Sequence, residues 1–309
     1  MSLSGLIICE NVFEDPNAAQ NFPATLSIVQ QTMTALKESL AAHCTYASVL
    51  NSVGVLRRKY RMWSPEDTRT LLQNDPTIVL VRGLKAPGVG WLWGCVALQD
   101  ADRAKYGEGI CLNGDIALAM ESDTTDPFLR DVCRTMFSVT VIRGMMHLLN
   151  HHAFPDKRLE PTPFAFGHGN LGLELEDLLL DGHIAITWTS QPDIGDLSAV
   201  ERVTVVQRPI NNEYKEVQLL GHHLTEYLES IANGQFLSVA SFEDAQPVKP
   251  PKLPMVRDRG WVLRRSTGIL LEPGQVSNGA GCGRLFTYED QQAVIAREAA
   301  RAAEEEWDS

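Results

Sequence analysis

The chain has 309 residues, 44% of them hydrophobic, which is enough apolar material to bury a large core. Its formal net charge of −12 repels phosphate backbones, so we do not expect nucleic acid among its partners. No apolar run approaches the roughly 20 residues that cross a bilayer, and the first residues lack the basic flank of a secretion signal. These features predict a cytoplasmic protein without a membrane anchor.

Two helices are predicted in the first quarter of the chain. Apolar residues recur at helical spacing from Pro23 to His43, which indicates one long amphipathic helix. Ser64, the proline after it and two early acids together suit a helix start, because they complement the free amides and positive dipole there. This second helix is expected to end near Gln73.

A β-rich region comes next. Residues 77–82 and 88–98 are separated by a Lys-Ala-Pro-Gly turn and predict a strand pair. Residues 109–121 predict one further strand. Asp126 and Pro127 then begin a long helix.

The second half of the chain alternates predicted helices, strands and one proline-rich run. A run of prolines cannot continue a helix or a central strand, so that segment is interpreted as an extended arm. In chain order the predictions are a helix at 170–180, strands at 184–188 and 203–207, a helix at 217–233, the arm at 245–254, a strand at 268–271 and a helix at 288–307.

Residues 139–155 have the frame of a zinc-peptidase helix without most of its zinc ligands. In a His-Glu-x-x-His helix, two imidazoles four residues apart face one metal, and the glutamate polarises the attacking water. Arg143 and Gly144 stand where the first histidine and the glutamate would be, and His147 stands in the register of the second histidine. An arginine is a permanent cation and a glycine is no base, so this helix lacks the ancestral chemistry.

In the order and spacing of four segments, the chain resembles a group of fungal zincin-like metallopeptidases. Their pattern is an edge strand ending near an acid, a His-Glu-x-x-His helix closed by Phe-Pro, a Thr-Pro loop, and a helix that supplies a third ligand. The matching segments here are residues 110–121, residues 143–147 before Phe154 and Pro155, Thr162 with Pro163, and residues 169–176 ending in Glu176.

The resemblance implies an α+β, zincin-like fold with a mixed sheet, an edge strand, a motif helix and a helical C-terminal part. It implies a single domain over residues 1–309. Within it, residues 1–155 would hold the sheet and motif helix, 156–245 the downstream glutamate helix and a helical lobe, and 246–309 the extended arm and final helix.

The function favoured on this basis is a metal-independent enzyme without a cofactor. It would act on a small molecule or short peptide in fungal specialised metabolism, by cyclisation, rearrangement or amide chemistry. Acid–base or oxyanion-stabilising groups would lie in the old metal cleft, with substrate-binding groups beside them. The catalytic candidates are Arg143, His147, His168 and Glu176, and the substrate-binding candidates are Asp115, Asn170 and Glu174.

Two alternatives remain open. In a non-catalytic pseudopeptidase, the edge strand would bind a peptide or protein, and Arg143 would anchor a carboxylate of that ligand. For Arg143 itself, the alternative to a functional role is an ion pair with Glu176 or Glu174 that plugs the vacant site. In a metallohydrolase, zinc would be held by His147, His151 and Glu176. A homodimer is a further alternative for the assembly. We expect a structural role for the pair His222-His223, because adjacent helical positions point about 100° apart.

Overall fold

The structure, a computed structural model, describes residues 6–9, 18–56, 62–86, 90–91, 93–96, 109–154, 171–188, 197, 200–210, 213–238, 242 and 244–248. Within these ranges the protein is α+β, as predicted, with helices, two four-stranded sheets and a short two-stranded ribbon. His168, Asn170, the Thr162-Pro163 loop, most of the predicted arm, the strand at 268–271 and the final helix lie outside the described residues.

The helices follow local capping signals as well as apolar periodicity. None of those in the described part is long and apolar enough to pass through a membrane. They are α1 (Ala18–Asn21), α2 (Pro23–Glu38), α3 (Leu40–Leu56), α4 (Pro65–Leu72), α5 (Gly114–Glu121), α6 (Pro127–Ala153), α7 (Leu171–Leu180) and α8 (Gly221–Ala232).

The strands form two sheets with different directions. The first sheet has the order β1-β2-β6-β5. Its strands β1, β2 and β6 run parallel, and β5 pairs antiparallel with β6 at the end of the sheet. The other sheet is antiparallel, in the order β10-β9-β8-β7. The strands are β1 (Leu6–Cys9), β2 (Thr77–Val81), β3 (Lys85–Ala86), β4 (Gly90–Trp91), β5 (Gly94–Val96), β6 (Gly109–Asn113), β7 (His183–Trp188), β8 (Val200–Ile210), β9 (Glu213–Leu219) and β10 (Gln246–Pro247).

Serine caps set two helix starts near the N-terminus. As predicted, Ser64 begins α4, where its Oγ accepts from the Asp67 N–H at 3.1 Å and its own N–H donates to the Asp67 carboxylate. The single helix predicted over residues 23–43 is wrong, because the backbone of Ser39 is extended and the first helix ends at Glu38. The Ser39 Oγ then caps α3 by accepting from the Ala42 N–H at 3.2 Å.

The predicted edge strand at 110–121 is corrected in two ways. Its first part is β6, an interior strand between β2 and β5, and the antiparallel strand at the end of the sheet is β5. Its second part is α5, because the Asn113 side chain accepts from the Asp115 and Ile116 N–H groups and caps a helix. The predicted pairing of 77–82 with 88–98 is also wrong, since β2 pairs with β1 and β6.

The helix predicted at 217–233 begins later than expected. Residues 213–219 form β9, which pairs antiparallel with β8 and buries Val217 and Leu219. The helix α8 starts only at Gly221. Strand pairing therefore overrides the leucine-rich helical pattern at the start of this segment.

The helix α6 is the centre of the fold. Every residue from Thr135 to Met146 is buried, so this central stretch of the helix is enclosed on all sides rather than amphipathic. It packs against α2, α7 and α8 and against the strands β5 and β6. The part of α6 that carries the resemblance, residues 143–147, therefore lies in the core of the described structure.

Candidate functional site

The two positions that the resemblance assigns to metal ligands meet in the structure. Arg143 extends from α6 and Glu176 from α7, and the Nε and Nη2 groups of Arg143 both donate to Oε2 of Glu176. The side chains are 1% and 0% exposed. The predicted ion pair between Arg143 and Glu176 is thus confirmed, and it is sealed from solvent.

The same pair also holds the backbone of Ile184 in β7. Nη2 of Arg143 donates to the Ile184 carbonyl at 3.4 Å, and the Ile184 N–H donates to Oε1 of Glu176 at 2.6 Å. β7 is the last strand of its sheet among the described residues, and its other side pairs with β8. The ion pair therefore takes the place of a neighbouring strand for one residue of that edge.

A glycine permits the approach of α7 to α6. A Cβ built on Gly172 would lie 2.7 Å from the Cβ of Arg143 and 3.2 Å from its Cα. Those distances are shorter than van der Waals contact, so only a residue without a side chain fits there. Gly172 stands one helical turn before Glu176, which lets α7 bring that carboxylate to the guanidinium.

A second glycine, Gly144, lies at the position that the resemblance assigns to a general base. A Cβ on Gly144 would lie 2.8 Å from Cδ1 of Ile110, which belongs to β6. A Cβ on Gly94 of β5 would likewise lie 2.6 Å from Cγ2 of Thr140. The sheet therefore rests directly on α6, and the Ile110 side chain fills the space into which a glutamate at position 144 would extend.

Burial dominates the electrostatics around the pair. It raises the pKa of the Glu176 carboxyl, while Arg143, His183 and the Ile184 N–H act against that rise. Burial also raises the pKa of the Tyr227 hydroxyl, which lies 3.2 Å from Oγ of Ser138. These buried hydrogen bonds join α6 to α7 and α8, and α7 to β7.

The remaining predicted site residues separate into different places. His147 follows Arg143 by one turn on the same helix face and is half-buried. Glu174 is buried on α7 at 6% exposure. Asp115 binds elsewhere, because its carboxylate accepts from the Gly83 N–H at 2.7 Å and lies 3.9 Å from Nε of Arg82. The Asp115 side chain thus fastens the turn after β2 to the start of α5.

Sequence reasoning missed a buried acid–histidine pair next to Glu176. Nδ1 of His183 lies 2.9 Å from Oδ1 of Asp177, and both side chains are at most 2% exposed. Asp177 is the last acid of α7, and His183 begins β7 after a turn in which Asp181 has a φ of 58°. Nothing in the spacing of these residues indicates the contact, since a left-handed residue reverses the chain between them.

The zinc alternative does not match the donor groups present. Both oxygens of Glu176 already accept hydrogen bonds, from Arg143 and from the Ile184 N–H. In the described ranges, one group of three side chains has ligand atoms close enough to share an ion, and it consists of His222, His223 and Asp244. A set of His147, His151 and Glu176 is not such a group.

The His222-His223 pair converges, contrary to the expectation from helix geometry. Nε2 of His222 and Nε2 of His223 lie 2.9 and 2.6 Å from the two oxygens of Asp244, and the rings are 4.0 Å apart. Rotation about the side-chain bonds overcomes the divergence of neighbouring helical positions. The carboxylate of Asp244 is thereby held at the start of α8.

The tautomer of His223 argues against a metal at this cluster. Its Nδ1 accepts from the Leu220 N–H at 2.9 Å, so the ring proton is on Nε2 and is donated to Asp244. A metal on Nε2 would require a proton on Nδ1, which would then face the Leu220 N–H. His223 therefore suits a helix cap and clamp rather than a metal ligand.

Comparison of the chain with protein-family models, with curated proteins and with solved structures gives no match.

Proposed function

We propose that this chain is a non-catalytic, zincin-like binding protein whose metal centre has been replaced by the Arg143–Glu176 ion pair, and that its ligand is a small molecule. The observation that carries the proposal is the buried convergence of these two residues, with both Glu176 oxygens in use. A non-catalytic pseudopeptidase is one of the hypotheses that the sequence leaves open.

The zincin-like part of the proposal is supported by arrangement rather than by any matched relative. A sheet of parallel strands ends in the antiparallel strand β5, and α6 lies directly beneath β5 and β6. The positions of the first histidine and the third ligand in the resemblance are occupied by Arg143 and Glu176, and these side chains touch. That contact is the one expected if the two positions once shared a metal.

The non-catalytic part of the proposal is supported by the fact that a substrate cannot reach Glu176. A general acid or base must reach a proton on the substrate through a hydrogen bond. Glu176 is 0% exposed and hydrogen-bonded at both oxygens, and the position of the missing base is covered by Ile110. Of the four catalytic candidates, Glu176 is thus too enclosed to exchange a proton with a substrate, and this burial favours a structural role for the ion pair.

The choice of a small molecule over a peptide rests on β5. A peptide that adds to an edge strand needs accessible backbone along that strand. Gly94, Cys95 and Val96 are all buried. Strand addition at β5 is therefore disfavoured, whereas a cavity elsewhere on α6 can admit a small ligand.

Restoring a ligand tests the scaffold assignment. R143H places an imidazole four residues before His147 with Glu176 downstream, which is a three-ligand zinc set. We expect R143H, refolded with zinc, to hold one ion per chain by elemental analysis and to melt at a higher temperature with zinc than without it. R143L is the matched control, since it removes the guanidinium and adds no ligand, and R143H/E176Q removes the third ligand.

Two results would overturn the proposal. If R143H gains no more zinc than R143L, the zincin-like arrangement is wrong. If R143H does not fold, the zinc content and the peptide hydrolysis of the unaltered protein test the non-catalytic role. Stoichiometric zinc in it, removed by a chelator together with peptide hydrolysis, would contradict a non-catalytic role, and we expect neither zinc nor hydrolysis.

A further inference from the structure

A cavity of about 420 Å³ lies against the C-terminal half of α6. Its floor is formed by Met145, Leu148 and Leu149, which are 4%, 6% and 2% exposed. Its volume is within the ~300–1,000 Å³ range of small-molecule sites. None of the predicted site residues lines it in the described part of the chain.

The cavity and the ion pair lie on different faces of one helix. Residues 145, 148, 149 and 152 follow the i, i+3, i+4, i+7 spacing of a single stripe. At about 100° per residue, this stripe lies roughly opposite the face of Arg143 and His147. A ligand in the cavity would therefore touch α6 without contact with the sealed pair.

The mouth of the cavity is polar but balanced in charge. Asn74 and His152 lie at the rim with Asp75. The Asp75 carboxylate is already paired with Nζ of Lys37 at 2.6 Å, so it offers no uncompensated charge to a ligand. Such a rim suits a neutral hydrogen-bonding group, because a charged group would lose its hydration without gaining an ion pair there.

We propose that this cavity binds a compact apolar molecule that carries one uncharged hydrogen-bonding group, with its apolar body on the Met145–Leu149 floor and its polar group between Asn74 and His152. The proposal rests on the binding role proposed above, for which it names the site and the ligand class. It makes no use of Arg143, Glu176 or the zincin-like assignment.

The probe for this site is 1-naphthol, an apolar bicycle with one hydroxyl group. We expect saturable one-to-one binding by titration calorimetry, together with a chemical-shift change at the Met145 methyl group. 1-Naphthalenesulfonate has the same body and a full negative charge, and we expect it to bind about tenfold more weakly. The Met145 signal locates the ligand independently of any variant.

Variants at the mouth and floor test the position. N74W places an indole at the rim from an exposed position, and L148F adds volume inside, so each should weaken 1-naphthol binding by about tenfold or more. Q73W is the control, because Gln73 is the exposed neighbour of Asn74 and lies outside this cavity. Q73W should bind like the unaltered protein.

The outcomes separate this proposal from the one before it. Binding that does not saturate, that leaves the Met145 methyl unchanged, or that survives both N74W and L148F would overturn the site. If R143H fails to take up zinc while 1-naphthol binds as expected, the scaffold assignment falls and the cavity stands. Zinc uptake without 1-naphthol binding would leave the scaffold assignment standing and overturn the cavity.

Discussion

Arg143 and Glu176, separated by 33 residues, form one buried unit with the backbone of Ile184. The unit joins α6, α7 and β7, so it connects the central helix to the edge of the antiparallel sheet. A pair of this kind holds elements in register even where its net contribution to stability is small, because breaking it leaves a buried charge alone.

Removing both partners of the pair should cost less than the two single removals added together. We expect R143M and E176M each to lower the free energy of unfolding by about 3–5 kcal/mol, because each strands a buried charge. The double variant should cost clearly less than the sum, with a remainder from the unpaired Ile184 backbone groups. Urea denaturation of the four proteins measures the coupling.

The exposed pair Arg69–Glu66 serves as the control and should show a coupling of about 0.5 kcal/mol or less. Additive costs at the buried pair would show that the two side chains act independently.

Gly172 should not tolerate a methyl group. G172A would place a Cβ against the backbone and Cβ of Arg143, and we expect a loss of about 1–3 kcal/mol in unfolding free energy as α7 moves away from α6. G221A is the matched control, because the added Cβ would meet only Phe128 at 3.6 Å. Thermal denaturation should find G172A clearly less stable than G221A, and an equal effect of the two changes would exclude a close-packing role for Gly172.

The Ile110 side chain should determine how much stability is lost when a side chain is added at position 144. We expect G144A to cost about 1–3 kcal/mol, because the new methyl group would overlap Ile110. In an I110A background the same change should cost much less, since the space is then available. A double-mutant cycle by denaturation measures this coupling. No coupling between the two positions would mean that Ile110 does not occupy the space beside Gly144.

The histidine clamp at Asp244 should weaken in acid. The hydrogen bond from His223, and secondly that from His222, holds the pKa of Asp244 below its ordinary value. A carboxyl whose pKa is depressed in the folded state contributes stability above its unfolded value of about 3.9, and loses it as the pH falls through the lower folded value. We expect stability to fall more steeply below about pH 4 in the unaltered protein than in D244N.

Hydrogen exchange can locate that acid effect. The Val248 N–H donates to the Glu216 carbonyl at 2.8 Å and reports whether the segment after Asp244 stays on the sheet. Protection of this amide should fall with acid in the unaltered protein. H222Q, which keeps the stronger partner His223, should change the profile less than D244N does. An identical profile in all three proteins would show that Asp244 does not hold this segment.

Helix starts can be predicted where the capping residues stand beside the apolar pattern. The capping box at Ser64 is visible in the sequence, because its hydrogen bonds involve residues three apart. The caps at Ser39 and Asn113 are of the same local kind, but apolar residues recur on both sides of each, so the apolar pattern shows no break there. Apolar runs alone do not separate a helix from a buried strand, so the sequence pattern predicts a strand where α5 forms.

Sequence alone determined which chemical groups are present at the motif positions. It places a permanent cation at Arg143, no base at Gly144 and a carboxylate at Glu176, because residue identity needs no fold to be known. Only the tertiary structure decided that the cation and the carboxylate seal each other, that Ile110 covers Gly144, and that a cavity lies on the opposite face of α6. Those facts depend on how elements far apart in the chain pack together, and burial and contact arise only from that packing.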